Sequence, residues 1–345
     1  MPVAQWVITD NQASLAVLGR RDEHLKIIES ALDVKLTARG DIIAITGTEL
    51  AQQKTQEILD LLTEWAQAGQ PVRRDTVDTA ILAVLEGTQR QFLHLLTESV
   101  FTTTQGRVIR PKTIGQQMYI EAIRHNLLVF GIGPAGTGKT YLAMAMAVQA
   151  LKQHEVERII LTRPAVEAGE KLGFLPGDLE SKVDPYLRPL YDALFEFLGP
   201  EAVDRHREKQ LIEIAPLAYM RGRTLSNSFI ILDEAQNATY EQIKMFLTRI
   251  GYGSKMVVTG DQTQVDLGRG QRSGLRVAAD IVSSISDVAV IPLGARDVVR
   301  HPLVAHIVEA FQHHEDQEAE RDRSGRSNWR EFQQSAAAVV PEGSL

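Results

Sequence analysis

Short apolar runs alternate with a helical pattern across the middle of the chain. Residues 127–132, 158–162, 228–232 and 255–259 are mostly apolar, as is typical of strands buried on both faces of a parallel sheet. Residues 141–151 are rich in alanine and methionine and favour a helix directly after the first run. Buried strands interleaved with helices predict an α/β fold, with a parallel sheet flanked by helices.

The first 70 residues follow a different pattern, which is typical of a small α+β module. Strand-like and helix-like segments alternate there over short distances. The predicted elements are a strand at residues 14–18, a helix at 24–32, strands at 34–37 and 41–46, and a helix at 49–65. Gly40 and Asp41 supply the turn between the last two strands.

The rest of the chain divides by composition. A break around Gly69 and Pro71 precedes a helical pattern at residues 77–97, and a loop or short hairpin follows at about residues 102–110. The last residues are first charged and then rich in serine, alanine and glycine, which predicts a disordered tail. We therefore predict a module at 1–70, a helical connector at 71–110, a main domain at 111–314 and a tail at 315–345.

Composition restricts the cellular setting. A chain of 345 residues with 44% hydrophobic and 23% charged residues is ordinary for a globular protein. The absence of cysteine excludes disulfides and is compatible with a reducing cytosol. No run approaches the roughly 20 apolar residues that span a bilayer, so we expect a cytoplasmic protein with no membrane partner. The net charge of −7 argues against a uniformly basic surface but leaves room for a local basic groove.

One segment fits the phosphate-binding pattern G-x-x-x-x-G-K-[ST] between a predicted strand and a predicted helix. Glycines permit a tight loop whose N–H groups turn onto phosphate oxygens, and the helix start adds a positive dipole. The loop consists of Gly133, Pro134, Ala135, Gly136, Thr137, Gly138, Lys139 and Thr140. Lys139 is expected to reach the β- and γ-phosphates of a nucleoside triphosphate, and the Thr140 hydroxyl to bind Mg²⁺.

Two carboxylates end the apolar run at residues 228–232. Asp233 is the expected Mg²⁺ residue, and Glu234, one position further, is the expected base that polarises the attacking water. An adjacent acidic pair of this kind indicates hydrolysis rather than a simple GTPase switch. No N-K-x-D sequence occurs, so guanine specificity has no support.

Two glutamines are candidates for sensing the nucleotide. Gln264 ends a G-D-x-x-Q pattern after the strand at residues 255–259, and the pattern resembles the third motif of superfamily-one helicases. That resemblance implies that Gln264 senses the γ-phosphate. Gln116 lies upstream of the phosphate loop, where such helicases read adenine, and Gln117 is the nearer alternative. Gln116 and Gln117 could instead be two exposed residues that begin a helix.

The main domain resembles the PhoH-like ATPases, a bacterial family related to superfamily-one helicases. The phosphate loop and the segments at residues 161–170, 184–191, 220–224 and 297–302 carry this resemblance. It implies a RecA-like P-loop NTPase fold, ATP and Mg²⁺ as cofactors, and hydrolysis coupled to RNA metabolism. It further implies a cytoplasmic location and a ring-like homo-oligomer.

The number of motor domains bears on the oligomeric state independently of the family resemblance. Helicase motors place an arginine from an opposing domain on the γ-phosphate, an effect of roughly 10³ to 10⁵ in rate, yet this chain has room for one such domain. Either a neighbouring subunit supplies the arginine or turnover is slow. The candidates for that arginine are Arg221, Arg223, Arg296 and Arg300, with Arg300 the first choice. Each of them could instead pair with a surface carboxylate. Arg163 follows a strand at the position where related motors contact nucleic-acid phosphates.

The N-terminal module resembles the KH family of RNA-binding domains, which clamp the nucleic-acid backbone with a G-x-x-G loop. Residues 19–22 occupy the place of that loop, but Asp22 departs from its pattern, and residues 1–70 hold ten acidic and six basic residues. RNA contact and a role in packing or subunit assembly both stay open for this module.

Two other functions fit the same residues. A P-loop kinase would use Glu234 as the base for an acceptor hydroxyl. An ATP-controlled scaffold would recruit an RNA-processing nuclease through the N-terminal module. RNA stimulation of ATP hydrolysis favours the motor, whereas phosphate on an acceptor favours the kinase.

Overall fold

The computed structural model of the chain describes residues 3–7, 10–40, 42–164, 179–268 and 271–299. Residues up to Val299 form one compact unit. The predicted tail at 315–345 lies outside the described residues. Within the described ranges, no helix has the length and apolar character that a bilayer-spanning segment needs.

The N-terminal module contains a small antiparallel sheet. Its elements are β1 (Val3–Val7), α1 (Asn11–Leu18), α2 (Glu23–Leu32), β2 (Lys35–Arg39), β3 (Ile42–Thr46) and α3 (Glu49–Gln67). Strand β3 is central and pairs with β1 and β2. The predicted helices and strands from residue 24 to residue 65 are confirmed, with ends shifted by a few residues.

The predicted strand at residues 14–18 is wrong, because this segment lies in α1. Ser14 and Val17 are buried while Leu15 is 75% exposed, so burial recurs at helical spacing rather than at every second residue. A short apolar run does not distinguish the two by its pattern alone. The first strand is instead β1, where Trp6 is buried and donates from Nε1 to Asp60 Oδ1 at 2.7 Å.

The predicted connector helix is two helices followed by a short hairpin. These elements are α4 (Arg74–Glu86), α5 (Gln89–Thr97), β4 (Phe101–Thr102) and β5 (Val108–Ile109). Helix α4 ends because Gly87 adopts a left-handed conformation with a φ of 73° at its C-cap. The two strands pair antiparallel, so the segment predicted to be a loop or a short hairpin is a hairpin.

Helices α4 and α5 share a hydrophobic core with the N-terminal module. Val77 and Phe92 are fully buried and belong to one cluster with Trp6, Ile28 and Ile43. Residues of the connector thus pack with elements that precede residue 70. The domain boundaries at residues 70 and 110 stay predictions.

The remaining elements build the main domain around a sheet of six strands. They are α6 (Ile114–His125), β6 (Leu128–Ile132), α7 (Lys139–Lys152), β7 (Arg158–Arg163), α8 (Leu179–Leu198), α9 (Pro200–Glu208), β8 (Ile212–Pro216), β9 (Ser228–Leu232), α10 (Tyr240–Leu247), β10 (Lys255–Gly260), α11 (Leu275–Val282) and β11 (Val288–Pro292).

The six strands are parallel and lie in the order β11-β6-β10-β9-β7-β8. Both faces of the sheet are buried, as alternate residues of β9 demonstrate. Phe229 and Ile231 join a core with α7 on one face, and Ile230 and Leu232 join a core with α10 on the other. A parallel sheet with helices on both faces and a glycine-rich loop after β6 is the P-loop NTPase fold, which confirms the predicted class.

The shared N-terminal core generates a prediction about stability. Phe92→Ala removes a fully buried ring from α5 and is expected to lower the free energy of unfolding by about 3–5 kcal/mol. Leu85→Ala on α4, where the side chain is 43% exposed, is the control and is expected to cost about 1 kcal/mol or less. Urea unfolding followed by the fluorescence of Trp6 and Trp65 measures both. Equal losses in the two variants would contradict a core that includes α5.

Candidate nucleotide-binding site

Three neighbouring parallel strands bring the predicted site residues to one edge of the sheet. Strand β10 lies between β6 and β9, and the register pairs Gly260 with Ile132 and Val258 with Leu232. The carboxyl ends of the three strands therefore lie side by side. The segments that follow them carry the phosphate loop, the acidic pair and the turn that contains Gln264.

The phosphate loop is held by glycine geometry and by contacts with its neighbours. Gly136 and Gly138 have φ values of 85° and 79°, in the left-handed region that favours glycine. A Cβ on Gly133 would lie 2.1 Å from the Leu293 carbonyl oxygen, so a side chain has no room there. The Ala135 N–H donates to Asp261 Oδ2 at 2.9 Å.

Lys139 begins α7 and lies against the loop. Its Nζ donates to the carbonyl oxygens of Gly133 at 2.6 Å and Pro134 at 2.8 Å. The side chain is mostly buried, so its charge lies in a setting that is less screened than bulk water. The predicted phosphate-binding lysine is thus at the mouth of the loop.

Thr140 and Asp233 are in direct contact, as a shared Mg²⁺ site requires. Thr140 Oγ1 donates to Asp233 Oδ1 at 2.5 Å, and Thr259 Oγ1 donates to the same oxygen at 2.8 Å. These hard oxygen groups suit Mg²⁺, which is commonly bound by one or two carboxylates together with phosphate oxygens. No cluster of three or more His, Cys, Asp or Glu able to hold a metal occurs in the described ranges. The residues present fit a Mg²⁺ that is shared with a nucleotide.

Glu234 follows Asp233 in a left-handed conformation, with a φ of 54°. This conformation is uncommon outside glycine, and it turns the chain sharply after the strand. Its Oε2 accepts from Gln236 Nε2 at 2.5 Å, and its Oε1 lies 3.2 Å from Nη2 of Arg163 at the end of β7. Arg163, expected to contact nucleic acid, is here an ion-pair partner of the predicted base.

Asp261 and Gln236 link the loops of the site and were missed as site residues. The buried Asp261 carboxylate accepts from Ala135, and from the N–H and hydroxyl of Thr263 at 2.9 and 2.7 Å. The Asp261 N–H donates to Gln236 Oε1 at 2.9 Å. The available signals were the aspartate of the G-D-x-x-Q pattern and the glutamine two residues after Glu234.

Gln264 is exposed and lies on the same cavity as the phosphate loop. The cavity has a volume of about 270 Å³ and is lined by Ala135, Gly136 and Gly138 of the phosphate loop together with five predicted residues whose side chains have assigned roles. These are Lys139, Thr140, Asp233, Glu234 and Gln264. The residues predicted to bind phosphate, to bind Mg²⁺, to activate the attacking water and to sense the γ-phosphate therefore line the same cavity.

Gln116 is buried behind the loop rather than exposed. Its Nε2 donates to the Thr137 carbonyl at 3.1 Å and its Oε1 accepts from the Lys112 N–H at 2.7 Å. The side chain thus joins the start of α6 to the phosphate loop. Gln117 is partly exposed, and its buried Oε1 has no hydrogen-bond partner in the described structure. Adenine recognition by either residue stays a prediction.

The candidate arginines are in different situations. Arg223 makes a paired contact with Glu213 at 2.5 and 2.7 Å, and this hydrogen bonding raises the pKa of Arg223. Arg296 forms an ion pair with Glu86, and Arg221 is exposed. Arg300 lies outside the described residues, although Val299 before it donates its N–H to the Gly136 carbonyl at 2.9 Å.

Two tyrosines lie next to the site, one packed against the strand before the phosphate loop and one lining the cavity. Tyr119 is fully buried and lies against Gly131, where a Cβ would be 2.7 Å from its ring. Burial raises the pKa of Tyr119, and the Asp233 carboxylate raises it further. Tyr141 lines the cavity and donates to Glu196 at 2.8 Å; burial and this hydrogen bond raise its pKa. Both phenols are therefore neutral at physiological pH.

Comparison with known proteins gives two family matches. The PhoH-like protein family matches residues 108–312, and the IstB-like ATP binding protein family matches residues 46–166. The core of a Sulfolobus solfataricus SWI2/SNF2 ATPase in complex with dsDNA covers 47% of this chain and 34% of its own, with a TM-score of 0.32 and 18% identity. That structural similarity is too low to carry an argument.

Curated relatives extend over nearly the whole chain. A "PhoH-like protein" of Mycobacterium tuberculosis (strain ATCC 25618 / H37Rv) is 50% identical over 313 residues, covering 90% of this chain and 88% of the relative. A "PhoH-like protein" of Bacillus subtilis (strain 168) is 50% identical over 298 residues, or 86% and 93%. "Protein PhoH" of Escherichia coli (strain K12) is 46% identical over 198 residues, or 57% and 56%. With its P-loop NTPase fold, the chain belongs to the PhoH-like protein family.

Proposed function

We propose that this chain hydrolyses ATP with Mg²⁺ and that RNA regulates the reaction. The observation that carries the ATPase proposal is the single cavity lined by the phosphate loop, the acidic pair and Gln264. Catalysis of phosphoryl transfer depends chiefly on positioning and on electrostatic stabilisation of the transferred group. The cavity gathers one cation, one metal-binding pair and one general base for that task.

Each residue has a distinct role in the proposed reaction. Lys139 neutralises charge on the β- and γ-phosphates, and Thr140 with Asp233 holds Mg²⁺, which supplies Lewis-acid stabilisation of the phosphates when bound. Glu234 orients the attacking water and accepts its proton. Gln264 senses the γ-phosphate from the exposed side of the cavity. Gln116 is the proposed residue for adenine recognition; in this structure its amide binds backbone groups of Lys112 and Thr137.

RNA binding draws support from a cavity of about 1040 Å³ in the N-terminal part of the chain. Arg20, Lys26, Arg73 and Arg74 line it together with one carboxylate, Glu23. This cationic excess contrasts with the ten acidic and six basic residues of the first 70. Local cations of this kind bind a phosphate backbone even when the net charge is negative.

Apolar side chains also line that cavity, and unpaired bases can contact them. Leu15, Ile27 and Val72 lie among the lining residues, next to the turn at Gly19. Non-specific single-strand sites combine a cationic track with side chains, usually aromatic, on which bases stack; this cavity offers the cations and aliphatic contacts. We therefore propose single-stranded RNA as the ligand of this cavity and helicase-like remodelling as the use of the ATPase.

The assembly part of the proposal is a cytoplasmic homo-oligomeric ring. Its support is that the described residues contain one six-stranded motor sheet, whereas helicase motors receive an arginine from an opposing domain. Arg300 stays the first choice for the arginine that acts on a neighbouring subunit, and Arg221 is the exposed alternative among the described candidates. An RNA-processing nuclease is the proposed protein partner. The alternative function, an ATP-controlled scaffold with no motor activity, would also require this partner.

The first functional prediction concerns Glu234→Gln. The amide keeps the shape of the side chain but cannot accept a proton, so kcat is expected to fall by about 10²- to 10⁴-fold. The Kd for ATP is expected to stay close to that of the unchanged protein. Steady-state phosphate release and titration with a fluorescent ATP analogue measure the two quantities.

Glu241→Gln is the matched control for Glu234→Gln, because Glu241 is exposed in the first turn of α10. It is expected to leave kcat unchanged. An unchanged kcat in Glu234→Gln would remove this residue from the reaction. Transfer of labelled phosphate to an acceptor, rather than to water, would favour the kinase.

A further prediction concerns the cationic cavity. Arg20→Ala and Lys26→Ala remove exposed cations, so each is expected to weaken polyuridylate binding and to reduce the slope of log K against log salt by about 0.7. Lys35→Ala and Arg39→Ala on β2 are controls in the same module, outside this lining. Fluorescence anisotropy over a salt series measures all four. Equal losses in controls and test variants would contradict a localised site.

The ring generates a prediction about concentration. If a neighbouring subunit completes the site, the turnover per chain is expected to rise with protein concentration until assembly is complete. Light scattering with Mg-ATP gives the mass, and hydrolysis assays over the same range give the rate. A monomer with a rapid, concentration-independent rate would contradict the ring.

A further inference from the structure

Glu234 has a protein partner on each of its two carboxylate oxygens. Oε1 lies 3.2 Å from Arg163 Nη2, and Oε2 accepts from Gln236 Nε2 at 2.5 Å. The contact with Arg163 joins the end of β7 to the segment that follows its neighbouring strand β9, whereas the contact with Gln236 lies within that segment. A carboxylate that takes a proton from water must offer one oxygen to that water. Each oxygen keeps a second acceptor site for water, but the two contacts together fix the orientation of the carboxylate. Glu234 can turn towards the attacking water only if one of these contacts opens.

The two partners of Glu234 differ in how firmly they are held. Gln236 is 1% exposed, and its Oε1 accepts from the Asp261 N–H at 2.9 Å. Breaking its contact with Glu234 would leave a buried amide donor without a partner, which is costly. The Arg163 side chain is 21% exposed and that of Glu234 is 32% exposed. A partly solvated ion pair is weak, so the contact with Arg163 is the one that opens more easily.

We propose that Arg163 is a positioning residue that restrains Glu234, and that a phosphodiester of bound RNA releases Glu234 by taking the Arg163 guanidinium. The inference rests on the proposed RNA-regulated ATPase and deepens its regulation. Guanidinium binds phosphate through a fork of parallel hydrogen bonds, so a phosphodiester replaces the carboxylate as its ionic partner. RNA then accelerates hydrolysis by removing a restraint, and adds no catalytic group.

The phosphates of ATP share this chemistry, and the experiment separates them from RNA. If the nucleotide itself took Arg163, the restraint would be absent in every ATP complex. The unchanged protein and Arg163→Ala would then have the same rate without RNA. If RNA is the source, the rates differ without RNA and converge when RNA is added.

The experiment measures ATP hydrolysis by the full chain with and without polyuridylate. Arg163→Ala is expected to raise the RNA-free rate by about two- to fivefold, the effect of losing a partly exposed ion pair. Polyuridylate is expected to accelerate this variant much less than the unchanged protein. Arg163→Lys keeps the charge without the fork and is expected to fall between the two.

Arg158→Ala is the matched control, because Arg158 begins the same strand and its Nε donates to Ser228 Oγ at 3.0 Å. It removes an equal charge from the opposite end of β7 and is expected to keep the RNA-free rate and the stimulation unchanged. The Kd for ATP is measured for each variant, because a variant that does not fold will not bind ATP. Arg163→Lys provides the test if Arg163→Ala does not fold.

Two results would overturn the inference, and they differ from failure of the proposed function. If the RNA-free rate of Arg163→Ala is at or below that of the unchanged protein and RNA still stimulates hydrolysis, the restraint by Arg163 is refuted. The proposal of an RNA-regulated ATPase is then unaffected. An unchanged protein that polyuridylate does not accelerate removes the RNA-regulated part of the proposed function and this inference with it. An unchanged protein that binds ATP without hydrolysing it removes the ATPase itself.

Discussion

The candidate site depends on one buried carboxylate, that of Asp261. Burying an ionised group is costly unless hydrogen bonds replace its water. Asp261 meets this condition by accepting from Ala135 in the phosphate loop and from Thr263 in the turn towards Gln264. Its own N–H binds Gln236, which in turn holds Glu234. The loops that follow β6, β9 and β10 are thereby tied to one residue, and a shift in any of them is felt by the others.

The sequence predicted the parts of the fold that follow from continuous burial. Strands β6, β9 and β10 are mostly apolar because both faces of the parallel sheet are covered, and the phosphate loop follows the end of β6 as the acidic pair follows the end of β9. The strand predicted at residues 14–18 failed because burial there is one-sided and short. The role of Thr259 was not predictable, because its hydrogen bond with Asp233 crosses between strands and depends on a register that one sequence does not specify.

The arginines illustrate a second limit of prediction. As residue types they are equivalent, and each could serve a phosphate or a carboxylate. Their situations differ only after folding, when Arg223 meets Glu213 and Arg296 meets Glu86 across 210 positions of the chain. Arg163 gained a role in the same way, because the neighbouring strand brings Glu234 to it. Partner choice by a long, charged side chain is a tertiary property.

The contacts of the last described residues bear on the order in which the protein is made. Val299 binds Gly136, and Asp297 accepts from Thr113 Oγ1 at 2.5 Å, so the phosphate loop and the start of α6 both rest on chain that is synthesised much later. The buried members of the core around Trp6 and Phe92 all lie within the first 100 residues. On the ribosome, the N-terminal core is therefore complete while the nucleotide site is still unfinished, and the nascent protein passes through a stage that presents the cationic cavity before the complete nucleotide site has formed.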